Sequence, residues 1–287
     1  MKFYKFWARA TAEVEDPDGE AVFRTGTGYS NDSVADAFLK AEIQAKKNAQ
    51  RWSDPTNFSH GGYYPAGGER AIREETVEQF ADDNETYAVI SRNSYGCLIL
   101  NTTDVFFADV DKPKKANWLF SWLGGLFGKK KITEADFESE LIQKIKRLVN
   151  ANPQYGLRVY RTLLGYRVVL TSQTVPASEA KSVELLKKLG ADELYVSLCR
   201  SQDCYRARLT PKPWRCGARK PTIRFPFSTP EAEQKYRRWQ KRYEATASKF
   251  ATCVLIGEFG SNQVDPRVAQ ILKLHDMFVL NSDKPLA

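Results

Sequence analysis

The sequence predicts an α/β chain of the α+β kind, with a mixed, largely antiparallel sheet and flanking helices. Three observations carry that expectation. The runs "TYAVISRN", "CLILN" and "DVFFADVD" follow one another through short turns, as in a meander. "LRVYRTLLGYRVVL" reads as a hairpin with Gly165 in its turn. Amphipathic helical stretches lie between these runs but do not alternate with single strands, as a doubly wound parallel sheet requires.

In chain order, residues 1–14 alternate Tyr4, Phe6, Ala8, Ala10, Ala12 and Val14 with Lys5, Arg9, Thr11 and Glu13, the period of a half-buried strand. "DPDGE" turns into a second strand, "AVFRTGTGY". "SNDS" offers capping oxygens to a helix running to about Arg51, with Val34, Phe38, Ala41 and Ala45 on one face. A Gly- and aromatic-rich loop, "DPTNFSHGGYYPAGG", follows. It lacks the Lys-Ser/Thr of a P-loop, so it reads as a surface loop and its His60 as incidental.

After the meander, "TEADFESELIQKIKRLVN" is a helix capped at Thr133 with Asp136 three residues on, its stripe being Phe137, Leu141, Ile145 and Leu148. "ASEAKSVELLKKLGAD" is another, closed by Gly190. "YRARLTPKPWRCGARKPTIRFPF" carries too many prolines for a long helix or central strand and reads as an irregular arm or edge. "STPEAEQKYRRWQKRYEATASKF" is a helix with Pro230 in its first turn. "ATCVLIGEF" reads as a buried strand and "DPRVAQILKLHD" as a final helix. We expect an N-terminal α/β module over residues 1–90 and a core over 91–287 that carries a basic arm, 199–249.

The 287 residues suffice for a substantial core, and 42% hydrophobic with 27% charged content is ordinary for a globular protein. The net charge of +8 is concentrated. Residues 199–249 hold fourteen Lys/Arg against four acids, a net +10, so the rest of the chain is close to −2. One segment thus carries the basic character, as a phosphate-facing surface would. Within it Arg206, Arg208, Lys212, Arg215, Arg219 and Lys220 interleave with Tyr205 and Trp214. Cations follow a phosphate backbone and an exposed aromatic stacks on a base, so the expected partner is DNA or RNA bound without sequence specificity. On the helix that follows, Lys235, Arg237, Arg238, Lys241, Arg242 and Lys249 lie opposite Tyr236, Trp239, Tyr243, Ala247 and Phe250, and read as a solvated face.

The five cysteines, at 97, 199, 204, 216 and 253, lack paired knuckle spacing. The C-x4-C of Cys199 and Cys204 with Cys216 beyond it argues against zinc, so free thiols are expected. No signal-peptide core opens the chain. The longest apolar run, "NWLFSWLGGLFG", falls short of the roughly 20 residues of a spanning helix. A cytoplasmic protein is therefore the default. That Trp-rich stretch, 117–131 with its lysines, reads as a loop folded on its own domain, with a protein partner or a membrane interface as the alternatives.

"DVFFADVDKPKK" holds the candidate chemistry. Residues i and i+2 of a strand share a face, so Asp109 and Asp111 project together. Two neighbouring carboxylates repel unless a positive charge lies between them, and Mg²⁺ or Mn²⁺ is the usual answer. Alternatively Asp111 only caps the turn before Pro113, with Lys112, Lys114 and Lys115 neutralising the pair locally.

The order of Asp-x-Asp strand, helix, turn-glycine hairpin and later acid resembles the catalytic core of the archaeo-eukaryotic primase and primase-polymerase superfamily. "FFADVD" resembles its hydrophobic-Asp-hydrophobic-Asp motif. "YRTLLGYRVVL" resembles its Ser/Thr-x-x-Gly-x-His hairpin through Thr162 and Gly165, with Arg167 where the histidine would stand. Asp265 and Asp276 compete as the third acid. The resemblance implies an RRM-like sheet after an N-terminal module, and metal-dependent nucleotidyl transfer. Asp109 and Asp111 would hold the metals, and Arg161 or Arg167 would neutralise the triphosphate of an incoming nucleotide. The replaced histidine, which in the family contacts that triphosphate, leaves a second implication: a non-enzymatic nucleic-acid-binding or adaptor domain on the same fold.

Overall fold

The computed structural model describes residues 1–15, 19–53, 71–83, 85–112 and 133–287. His60 with its Gly-rich loop, Lys114 and Lys115, and the Trp-rich stretch 117–131 lie outside them. The described residues form ten strands and six α-helices, an α+β chain whose strands are mostly antiparallel and fall into three sheets. No helix among these residues is long and apolar enough to cross a membrane.

The chain divides into two compact units: Lys2–Thr76 with Pro221–Gln240, and Met1 with Val77–Lys220 and Lys241–Ala287. The first unit thus ends at Thr76 and takes in Pro221–Gln240, whereas the expected module runs to residue 90 and leaves the whole basic arm in the core.

In the first unit, β1 (Phe6–Glu15) and β2 (Ala21–Ser30) pair antiparallel from Phe6↔Ser30 to Glu15↔Ala21. Helix α1 (Val34–Ser53) is entered at Ser33, whose Oγ accepts from Asp36 N at 3.0 Å. The helix turns only part of the expected face inward, Ala41 and Ala45 but not Val34 or Phe38. Ala37, Ala41, Ala45 and Ala49 are fully buried, while Val34, Phe38, Leu39 and Ile43 are exposed. The cause lies in β2. A Cβ on Gly26 would stand 2.2 Å from Ala45 N, and one on Gly28 2.0 Å from Ala37 O. Backbones this close leave room for alanine only, so the small-residue stripe wins over the larger apolar one.

In the second unit, β3 (Glu75–Asp82), β4 (Glu85–Arg92), β5 (Leu98–Thr102) and β9 (Tyr205–Arg208) form one sheet in that order. A second sheet has the order β10 (Cys253–Gly260), β7 (Gly156–Thr162), β8 (Gly165–Leu170) and β6 (Phe107–Asp111). The expected meander is therefore broken. Strand β6 leaves β5 and pairs with β8, Asp109 opposite Arg167 and Asp111 opposite Gly165. β10, expected buried, is an edge strand with Val254 and Leu255 exposed.

Helix α2 (Glu134–Ala151) has the expected capping box at Thr133 and Asp136, and it buries Leu141, Ile145 and Val149. The other helices are α3 (Ala180–Leu189), α4 (Glu193–Gln202), α5 (Pro230–Ala247) and α6 (Pro266–Val279). On α5 Tyr236, Tyr243 and Ala247 are buried, and Lys235, Arg238, Lys241 and Arg242 are exposed. The core of the second unit gathers Phe106, Phe107, Ile145, Tyr160, Val168, Leu186 and Tyr205.

Candidate functional site

Strand parity divides the β10-β7-β8-β6 sheet into two faces. Register places Asp109, Arg167 and Tyr160 in one row, so they share a face with Asp111. Arg161 and Tyr166 occupy the other face, against α2. There Arg161 forks onto Glu138, its Nε 2.9 Å from Oε2 and Nη2 3.0 Å from Oε1, and Tyr166 donates to the same carboxylate at 3.0 Å. Arg161 is thus spent on a structural pair and lies apart from the acids.

Asp109 and Asp111 line one cleft of about 680 Å³ together with Lys112, Glu134, Thr162, Leu163, Leu164, Tyr166, Asp192, Tyr195, Arg208, Lys212 and Arg215. The hairpin turn Leu163–Leu164 forms part of its rim. Gly165 is required there by close approach, because a Cβ would lie 2.3 Å from Val110 O. At the lip Lys112 pairs with Glu134 at 2.7 Å.

The wall containing Arg208, Lys212 and Arg215 is cationic and half-buried. Burial holds Lys212 below its usual range, with Arg208 and Arg215 adding repulsion and Asp111 opposing the shift. Arg215 is lowered in the same way, by burial and then by Arg208. Arg208 Nη1 is buried without a hydrogen-bond partner among the described residues. Three crowded cations gain stability from an anion placed between them.

Behind the acids runs a buried polar string. Arg167 is fully buried; its Nε donates to Asp109 Oδ1 at 3.2 Å and its Nη1 lies 3.0 Å from both Arg208 O and His275 Nε2. Since Nη1 can only donate, His275 Nε2 is the acceptor and the proton sits on Nδ1. That proton faces Asp276 Oδ1 at 2.9 Å. Asp276 also accepts from Tyr160 at 2.7 Å and from Arg158 at 2.8 Å. Burial pushes the His275 pKa down to about 4, with Asp276 opposing and Arg167 adding.

This string predicts a pH dependence. The unfolded chain takes up a proton at His275 as pH falls through 6.5, whereas the folded chain refuses it until about pH 4. The contribution is therefore complete above pH 6.5 and is lost as pH falls through that window, about 2 kcal/mol between pH 7 and pH 5. Urea unfolding at the two values measures it, and His275→Asn should flatten the difference.

The expected residues are distributed as follows. Asp109, Asp111, Arg208, Lys212 and Arg215 converge on the cleft. Arg167 supports Asp109 from beneath and does not line it. Asp276 belongs to the buried string. Asp265 caps α6, accepting from Arg267 N at 2.8 Å and Val268 N at 3.2 Å, and neither of these two acids lines the cleft. Arg206 bonds Gln202 at 3.1 Å, and Trp214, Arg219 and Lys220 are exposed.

Sequence reasoning missed Asp192 and Tyr195, because α4 itself went unread. Asp192 N donates to Asp109 O at 3.3 Å, and Tyr195 hydroxyl donates to Phe107 O at 2.7 Å. Together they clamp the strand that bears both acids. The sequence signal for α4 was Asp192 itself, which caps it at Tyr195 N. His275 was also missed, although it is one of two histidines in the chain.

Among the described residues no group of three His, Cys, Asp or Glu is arranged to hold a metal. All five cysteines are buried free thiols, Cys199 being pushed up to about 12 chiefly by burial. Asp109 has already given one oxygen to Arg167. A hard divalent cation takes about six oxygens and is commonly held by one or two carboxylates plus substrate phosphates. Asp109 and Asp111 fit an ion that arrives with phosphate and do not make a closed resident site. No protein family, curated protein or solved structure matches this chain.

Proposed function

We propose that this chain binds nucleic acid, or the phosphates of a nucleotide, in the cleft between β6 and the 208–215 wall. One observation carries the proposal: Arg208, Lys212 and Arg215 share a cleft with Asp109 and Asp111. Phosphate oxygens bridging these side chains relieve the repulsion among three cations. Such contacts follow a backbone without reading bases, so affinity should be strongly salt-dependent and indifferent to sequence.

A second reading, nucleotidyl transfer, is favoured by the shared face of Asp109 and Asp111. Those two residues would hold a Mg²⁺ or Mn²⁺ carried in with a nucleoside triphosphate, and the ion would supply Lewis-acid stabilisation of phosphoryl charge. The chain's own part would be to fix Asp109 through Arg167, to aim Asp111 across the cleft, and to orient the phosphates on Lys212 and Arg215. The resemblance to primase-polymerases supports this reading, and the engagement of Asp276 elsewhere limits it to two acids.

The two readings separate experimentally. Lys212→Ala with Arg215→Ala should reduce oligonucleotide affinity and lower the slope of log K against log salt by about 1.4–1.8. Unchanged affinity and slope would overturn phosphate binding here. Primer extension with Mg²⁺ or Mn²⁺, comparing wild type with Asp109→Asn plus Asp111→Asn, tests transfer. Wild-type extension abolished in the double variant supports it, and binding without extension in wild type leaves the non-enzymatic protein.

A further inference from the structure

Trp214 lies between two cleft residues in sequence, Lys212 and Arg215, on a short 3-10 helix Pro213–Arg215. Trp214 is 44% exposed, whereas Pro213 and Cys216 on either side of it are buried. The Cys216 thiol faces the carbonyls of Lys212 and Pro213 at 3.7 and 3.3 Å, so the turn that presents the ring is anchored from below. Tyr95 meets Trp214 edge-on, with centroids 5.2 Å apart and planes at 85°. Lys220 Nζ lies 4.6 Å and Lys212 Nζ 5.6 Å from the indole centroid, and Lys220 also reaches the Tyr95 ring at 5.9 Å.

The Trp214–Tyr95 pair plays no part in the core, and neither ring lines the cleft. An exposed, rigidly mounted indole with two flexible ammonium groups over it has the composition of a base platform. A base lying on the ring displaces a lysine stem, and the ammonium then reaches the flanking phosphate. Lys212 belongs to both places at once, so a backbone held in the cleft brings its next base to the ring.

We infer that Trp214, braced by Tyr95, stacks an unpaired base of a single-stranded nucleic acid whose adjoining phosphate sits in the cleft on Lys212 and Arg215. The inference rests on the phosphate-binding reading and adds to it the ligand's class. Duplex is the poorer ligand because its bases are already stacked on one another.

The test compares, at low salt and with the full chain, oligo(dT), an abasic oligonucleotide of equal length and backbone, and a duplex of that length. Wild type should bind oligo(dT) about tenfold tighter than the abasic strand. Trp214→Ala should erase that difference while leaving abasic affinity unchanged, and Trp214→Phe should keep most of it. Equal affinity of wild type for the dT and abasic strands, or equal loss of both in Trp214→Ala, overturns the platform and leaves phosphate binding standing. If the abasic strand and inorganic triphosphate both fail to bind wild type, the phosphate reading falls and the platform falls with it. Duplex bound as tightly as oligo(dT) overturns the preference for single strands.

Discussion

Arg167→Ala should destabilise the second unit by about 3–5 kcal/mol, the usual cost of removing one partner from a buried charged network. In a unit of this size that is a fall in melting temperature of roughly 6–20 °C. Three losses add. The largest fully buried side chain among the described residues disappears and leaves a cavity. His275 Nε2 and Arg208 O lose their donor. Asp109 loses its ion pair with Arg167, although its 36% side-chain exposure lets water take up part of that charge. Arg167→Lys should recover little, because one ammonium cannot reach Asp109, Arg208 and His275 as a planar fork does. Arg167→Met should be the mildest, since it fills the volume. Differential scanning calorimetry of the three variants gives the order, and a loss under 1 kcal/mol in Arg167→Ala would show that the string is not what holds β6, β8 and α6 together.

Much of the candidate site follows from local rules that a sequence displays. The strand period puts Asp109 and Asp111 on one face, the capping box starts α2 at Thr133, and the turn glycine sets the β7-β8 hairpin. What the sequence hides is partnership across the sheets. Nothing local shows that β6 leaves β5 for β8, and that pairing is what brings Arg167 to Asp109. The arginine in the hairpin was legible as a cation, but its depth was not. The two-residue turn sets Arg167 opposite Tyr160 and not Arg161, so the two arginines point to opposite faces, and the pairing with β6 says which one shares a face with the acids. Asp276 was legible as an acid following a helical run. Its neighbour His275 is what ties it to the buried string, and a histidine in an apolar stripe gives no sign of that role. The cationic wall was the easiest feature to find, because its charge is concentrated in one segment of a nearly neutral remainder.

The first unit carries the other large expected effect. Gly28→Ala should destabilise it by roughly 3 kcal/mol or more, at the upper end of the cost of overpacking. The added methyl would stand 2.0 Å from Ala37 O and 2.3 Å from Ala41 N. These are main-chain atoms of α1, so no rotamer change relieves the clash and the helix must move off the hairpin. Gly26→Ala meets Ala45 N and Ala41 O at 2.2 and 2.3 Å and should behave alike. Shortening Ala37 or Ala41 to glycine cannot rescue either variant, because the obstructing atoms remain. Thr25→Ala, exposed on the same strand, should stay within about 0.5 kcal/mol. Hydrogen exchange read separately over β1, β2 and α1 distinguishes this from a global effect. Protection should collapse there in Gly28→Ala, since a two-stranded hairpin depends on the helix packed against it for its stability. Retained protection would mean that the hairpin and helix can separate without unfolding, and that the buried alanine stripe is not the reason α1 turns Val34 and Phe38 outward.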